Sequence, residues 1–104
     1  LCGDRVTLAD VRLFTTLFRF DAVYYSLFKC NVRRIQDYEH LGAYLRDLYQ
    51  LPGVAGTCDL EAVKRDYYGN LFPLNPGCII PAGPDAGSLL KAHDREKFAK
   101  NLGF

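Results

Sequence analysis

The sequence predicts an all-α fold, part of a helical bundle with an extended proline-rich tail. Three observations predict it. A capped helix start at residues 7–11 opens a long apolar run. A second run repeats apolar residues at helical spacing. Four of the five prolines lie between residues 73 and 84, where no long helix can form.

The first helix starts at Thr7, whose hydroxyl can accept from the Asp10 N–H while the Asp10 carboxylate reaches back to the Thr7 N–H. Val6 and Val11 stand where a hydrophobic staple would sit. The helix is expected to run to about Lys29. Arg12, Thr15, Thr16, Arg19 and Ser26 form one narrow polar stripe, and Val11, Phe14, Leu17, Phe18, Ala22, Val23, Tyr25, Leu27 and Phe28 fill the rest. That wide apolar girth describes a central helix packed on several sides.

A loop with Asn31 and Arg33-Arg34 leads to a second helix, with Asp37 as its expected N-cap and Tyr38, Leu41, Tyr44, Leu45 and Leu48 as its apolar face. Pro52-Gly53 ends it. A short third helix is expected over residues 54–57. A fourth opens at Asp59, carries Leu60, Val63 and Tyr67 inward and stops at Gly69-Asn70. The proline segment is expected to run over the bundle surface, anchored by Ile79 and Ile80. One more charged helix is expected from Ser88 to Lys100. Residues 1–84 thus read as the helical domain and 85–104 as a tail.

Composition narrows the function. The 104 residues fit one domain or part of one, and 49% hydrophobic content is too high for a disordered chain. A net charge of +1 gives no electrostatic reason to expect nucleic acid. Arg12, Arg19, Asp21 and Lys29 interrupt the richest apolar stretch, so no membrane span is expected. The cysteines at 2, 30, 58 and 78 lack a C-x2-C spacing. Two disulfides are conceivable in a secreted protein, but the apolar core favours four reduced thiols in the cytoplasm. His40 and His93 lie in unrelated segments and read as surface residues rather than metal ligands. Cys30, at a helix C-terminus, sits where the dipole disfavours a thiolate. What remains is an aromatic and basic set: Tyr24 and Tyr25 on the long helix, and Lys64, Arg65, Tyr67 and Tyr68 on the fourth. A phenol packs its ring and still offers a hydrogen bond, which suits a ring-hydroxylated ligand as well as it suits a core.

A capping box within a buried helix is characteristic of the helical C-terminal domain of glutathione transferases, and more specific runs accompany it. Leu13-Phe14-Thr15-Thr16-Leu17-Phe18-Arg19-Phe20-Asp21-Ala22-Val23-Tyr24 and Phe28-Lys29-Cys30-Asn31 resemble the xi-class transferases, the glutathionyl-hydroquinone reductases. So do Arg33-Arg34-Ile35, Tyr44-Leu45-Arg46-Asp47-Leu48-Tyr49, Pro52-Gly53-Val54-Ala55, Asn75-Pro76 and Ile79-Ile80-Pro81. The family usually has His where Asp66 stands and a Ser-His pair near Asn70-Leu71. The resemblance implies the C-terminal domain of an enzyme that uses glutathione to reduce glutathionyl-hydroquinones. It implies a nucleophilic Cys in a Cys-Pro motif of an N-terminal thioredoxin-like domain, which also binds most of the glutathione. No Cys-Pro occurs here, so no catalytic residue is expected in this chain. Tyr67, then Tyr24, then Tyr68 and Arg65 are the expected hydroquinone-binding residues. A homodimer formed through this domain is also implied. The chain, lacking an initial Met, is expected to begin inside a longer polypeptide, with apolar helix surface left exposed. The alternative is a non-catalytic dimerisation or interaction module of transferase shape.

Overall fold

The computed structural model describes residues 1–71 and 73–96 and the backbone of 101–102. It is mostly helical. Helix α1 spans Leu8–Arg19, α2 Glu39–Tyr49 and α3 Leu60–Asn70. A two-residue strand, β1 (Arg5–Val6), pairs in parallel with β2 (Asn101–Leu102).

At the start of α1 only half of the expected capping box closes. The Thr7 N–H donates to Asp10 at 3.0 Å. The Asp10 N–H is taken by the Thr7 carbonyl at 3.1 Å, which leaves the buried Thr7 hydroxyl unpartnered among the described residues. Asp10 itself is buried and also accepts from the Tyr44 hydroxyl. Burial alone would raise its pKa; the Tyr44 hydroxyl and the Thr7 N–H act against it and hold the carboxyl below its ordinary value.

The α-helix does not reach Lys29. After Arg19 it widens into a π-helical turn, Phe20–Tyr24, followed by irregular turns that end at Lys29 in the left-handed region (φ 63°). The cause is tertiary. The Asp21 carboxylate accepts the backbone N–H groups of Ile35 (2.6 Å) and Gln36 (3.1 Å), and the buried Tyr68 hydroxyl donates to the Ala22 carbonyl at 2.9 Å. The core centres on this turn: Ala22 and Val23 are 1% and 0% exposed, among Leu17, Phe18, Leu27, Ile35, Leu45, Tyr49, Leu60 and Tyr68. Packing on every side is therefore found at residues 22–23 and not along α1, whose Leu8 and Val11 are exposed.

Asp37 is not the cap of α2. It ends a 3-10 turn, Ile35–Asp37, because its carboxylate is drawn back to the Arg34 guanidinium (3.1 and 3.2 Å) and the Arg34 N–H (3.2 Å). On α2, Leu45, Leu48 and Tyr49 are buried, while Tyr38 before it is exposed. Residues 55–57 form one 3-10 turn rather than a third α-helix. Asp59 caps α3 as expected, accepting from the Ala62 N–H at 3.1 Å.

The proline segment crosses the surface, but Ile79 and Ile80 do not anchor it; both are exposed. Polar groups hold it instead. The Lys64 ammonium donates to the Ala82 carbonyl at 3.0 Å, and Asn75 Nδ2 donates to the carbonyls of Tyr68 (2.8 Å) and Ile79 (3.0 Å). The helix expected from Ser88 is a 3-10 turn, Ala86–Leu90, begun by Asp85. Residues 91–96 are not helical, and 97–100 lie outside the described residues. His93 is buried rather than on the surface, 3.7 Å from Asp47, which also accepts from Arg95 Nε at 2.9 Å.

Candidate functional site

Three rings meet where the π turn faces α3. The turn is closed by the Tyr25 N–H donating to the Phe20 carbonyl at 2.9 Å, one residue more than an α-turn encloses. That extra residue rotates the chain beyond it by about 100° against a continuous α-helix. With the offset, Tyr24 and Phe28 come up against Tyr67 of α3. The Tyr24 and Phe28 rings stack at 5.5 Å with 19° between planes. Tyr67 stands edge-on to both, 6.1 Å from Tyr24 and 6.3 Å from Phe28, at 80° and 79°. Phe20 closes the other side of Tyr24, edge-on at 6.2 Å.

Burial pushes the Tyr24 phenol above its ordinary pKa; the neighbouring Tyr67 phenol adds to this and Arg19 opposes it. At neutral pH Tyr24 is therefore an un-ionised O–H donor. Tyr24 and Tyr67 are half-buried and Phe28 is exposed. The cluster thus offers a phenolic donor beside an open ring face, an arrangement that can hold a flat, hydroxylated ring.

Two of the four expected binding residues are brought together here, and two are not. Tyr68 is 4% exposed and its hydroxyl is committed to the Ala22 carbonyl, so it belongs to the core that supports the cluster. Arg65 lies two positions before Tyr67, roughly 200° around α3, on the exposed side. In the sequence Phe28 falls on the apolar girth of the first helix, and its four-residue offset from Tyr24 is the signal that it shares the tyrosine's face. Lys64, read as part of the basic set, is instead 1% exposed and bonded to the proline segment.

Two cavities lie elsewhere. One of about 350 Å³ sits between α2 and the 85–91 segment, and one of about 320 Å³ between α1 and the start of α3; neither is lined by Tyr24, Phe28 or Tyr67. Among the described residues no group of His, Cys or carboxylate side chains could hold a metal ion. No helix among them is long and apolar enough to cross a membrane. All four cysteines are free thiols.

The Glutathione S-transferase, C-terminal domain family matches residues 1–47. Over 84 residues the chain is 46% identical to glutathionyl-hydroquinone reductase YqjG of Escherichia coli K12 and 50% identical to glutathionyl-hydroquinone reductase PcpF of Sphingobium chlorophenolicum. These alignments take in 81% of this chain but only 26% and 27% of the two relatives, so the chain spans about a quarter of their length. The solved xi-class transferase of Natrialba magadii superposes with a TM-score of 0.89 at 42% identity, covering 95% of this chain and 31% of that one.

Proposed function

We propose that the chain, whose residues 1–47 match the C-terminal domain family of the glutathione transferases, is the hydroquinone-side domain of a glutathione-dependent reductase. The reaction is the reduction of glutathionyl-hydroquinones to hydroquinones. What carries the reading is the pairing of Tyr24 and Tyr67 on an accessible face of a chain 46% and 50% identical to two reductases of that name.

In the net reaction a glutathionyl-hydroquinone and glutathione give hydroquinone and glutathione disulfide. The ring's C–S bond breaks, an S–S bond forms, and the ring carbon takes a proton; the ring is reduced and the two sulfurs are oxidised. The attacking cysteine, as the family resemblance implies, belongs to a thioredoxin-like domain that also binds glutathione. The part played by these residues is to bind and orient the ring. Tyr67 hydrogen-bonds a hydroquinone oxygen and Tyr24 a second polar position. As charge develops on the departing ring, a donor already aimed at it favours the transition state over the bound substrate. Tyr68 positions α3 through Ala22, and Arg65 stands apart from the wall. In this reading the protein is a cytoplasmic homodimer that dimerises through this domain.

The test expresses the whole open reading frame that encodes these residues and follows hydroquinone release from a glutathionyl-hydroquinone with glutathione. The wild type turns over, and Tyr67→Phe lowers kcat by about tenfold or more. A wild type without turnover rejects the reductase and leaves the interaction module. Unchanged turnover in Tyr67→Phe returns that phenol to a packing role.

A further inference from the structure

We propose that Phe28 determines specificity: its open ring face receives the substrate's ring, so that the wall selects a flat aromatic diol over a saturated one of similar size. This rests on the reading of Tyr24 and Tyr67 as the substrate wall.

The argument starts from an exposure that packing does not explain. Phe28 is 40% exposed, yet its ring is already fixed on two sides, stacked on Tyr24 at 5.5 Å and met edge-on by Tyr67 at 6.3 Å. The backbone beneath it is fixed as well. Lys29 turns the chain in the left-handed region, and the Cys30 N–H closes back on the Tyr24 carbonyl at 3.1 Å. A ring held in this way loses little freedom when a ligand stacks on it. It carries no donor or acceptor, so it cannot read hydroxyl groups. What it reads is the flat face of a π-system, through offset stacking or edge-to-face contact. The phenols and Phe28 therefore divide the work. Tyr24 and Tyr67 recognise oxygen, which aromatic and saturated diols share, and Phe28 recognises the ring, which they do not. Leucine at this position would keep the apolar volume and lose the aromatic contact.

The experiment titrates the protein expressed from the whole open reading frame with hydroquinone and, separately, with cyclohexane-1,4-diol, followed by NMR shifts of the tyrosine and phenylalanine rings. The wild type favours hydroquinone. Phe28→Leu weakens hydroquinone about 2- to 12-fold with the diol unchanged, and Phe28→Tyr keeps the preference. Equal hydroquinone affinity in Phe28→Leu, or an equal loss for both ligands, overturns the proposal. If Phe28→Leu does not fold, nuclear Overhauser contacts between hydroquinone and the wild-type Phe28 ring decide, and their absence overturns it. Ring selectivity at Phe28 in a protein without reductase turnover upholds this inference and rejects the reading beneath it. Reductase turnover in a protein whose preference for hydroquinone is unchanged by Phe28→Leu does the reverse.

Discussion

Asp10 is the residue on which the start of the fold most depends. It is 2% exposed and accepts from the Thr7 N–H and the Tyr44 hydroxyl. These bonds hold its carboxyl below its ordinary value in the fold. A carboxyl whose folded pKa lies below its unfolded value stabilises the fold fully above the unfolded value, and that contribution fades as pH falls toward the folded one. Asp10→Asn is therefore expected to lower stability by about 1–3 kcal/mol at neutral pH. The gap to the wild type should narrow as pH falls below about 4. Urea midpoints across that range measure it, and a gap independent of pH would mean that the charge is not what matters. The same carboxylate, with burial as the larger cause, pushes the Tyr44 phenol far above its ordinary pKa, so Tyr44 remains a donor to Asp10. Asp10 was legible as a helix-start residue from its spacing to Thr7. Its partner Tyr44 was not, because the two lie 34 residues apart and only the crossing of α1 and α2 brings them together.

Among the elements, the π turn decides the site. A run of apolar residues from 11 to 28 reads as one helix, since helical periodicity cannot register a single wider turn. The widening is maintained from outside, by Asp21 on the 35–36 backbone and by Tyr68 on Ala22. Tyr68→Phe keeps the ring and removes the hydroxyl, leaving a buried carbonyl unpaired. A loss of about 1–3 kcal/mol is expected, read as a lower urea midpoint. Because Tyr67 immediately precedes Tyr68 on α3, the Tyr24–Tyr67 ring contact should loosen too, which ring-proton shifts will report. A variant as stable as the wild type would show that the turn holds without this bond.

For the whole molecule, the 85–96 segment is bound onto α2. Gln50 Nε2 donates to the carbonyls of Leu89 (2.9 Å) and Lys91 (2.7 Å), and the Arg95 guanidinium lies over the Tyr44 ring at 5.4 Å. Gln50→Ala is expected to speed amide exchange across 86–91 while α1 keeps its protection. Uniformly faster exchange would mean that the segment and the helices open as one unit. The sequence by itself determined the all-α class, the starts of α1 and α3 and the tyrosine-bearing segments, because caps, apolar periodicity and proline act over a few neighbouring residues. Its long matching runs also determined the family resemblance. Tertiary structure alone decided the wide turn after Arg19, the burial of Lys64 and His93, and the polar anchoring of the proline segment. It also decided which phenol joins the core and which remains accessible. Those outcomes depend on donors and acceptors far apart in the chain, whose pairing leaves no periodic trace in the sequence.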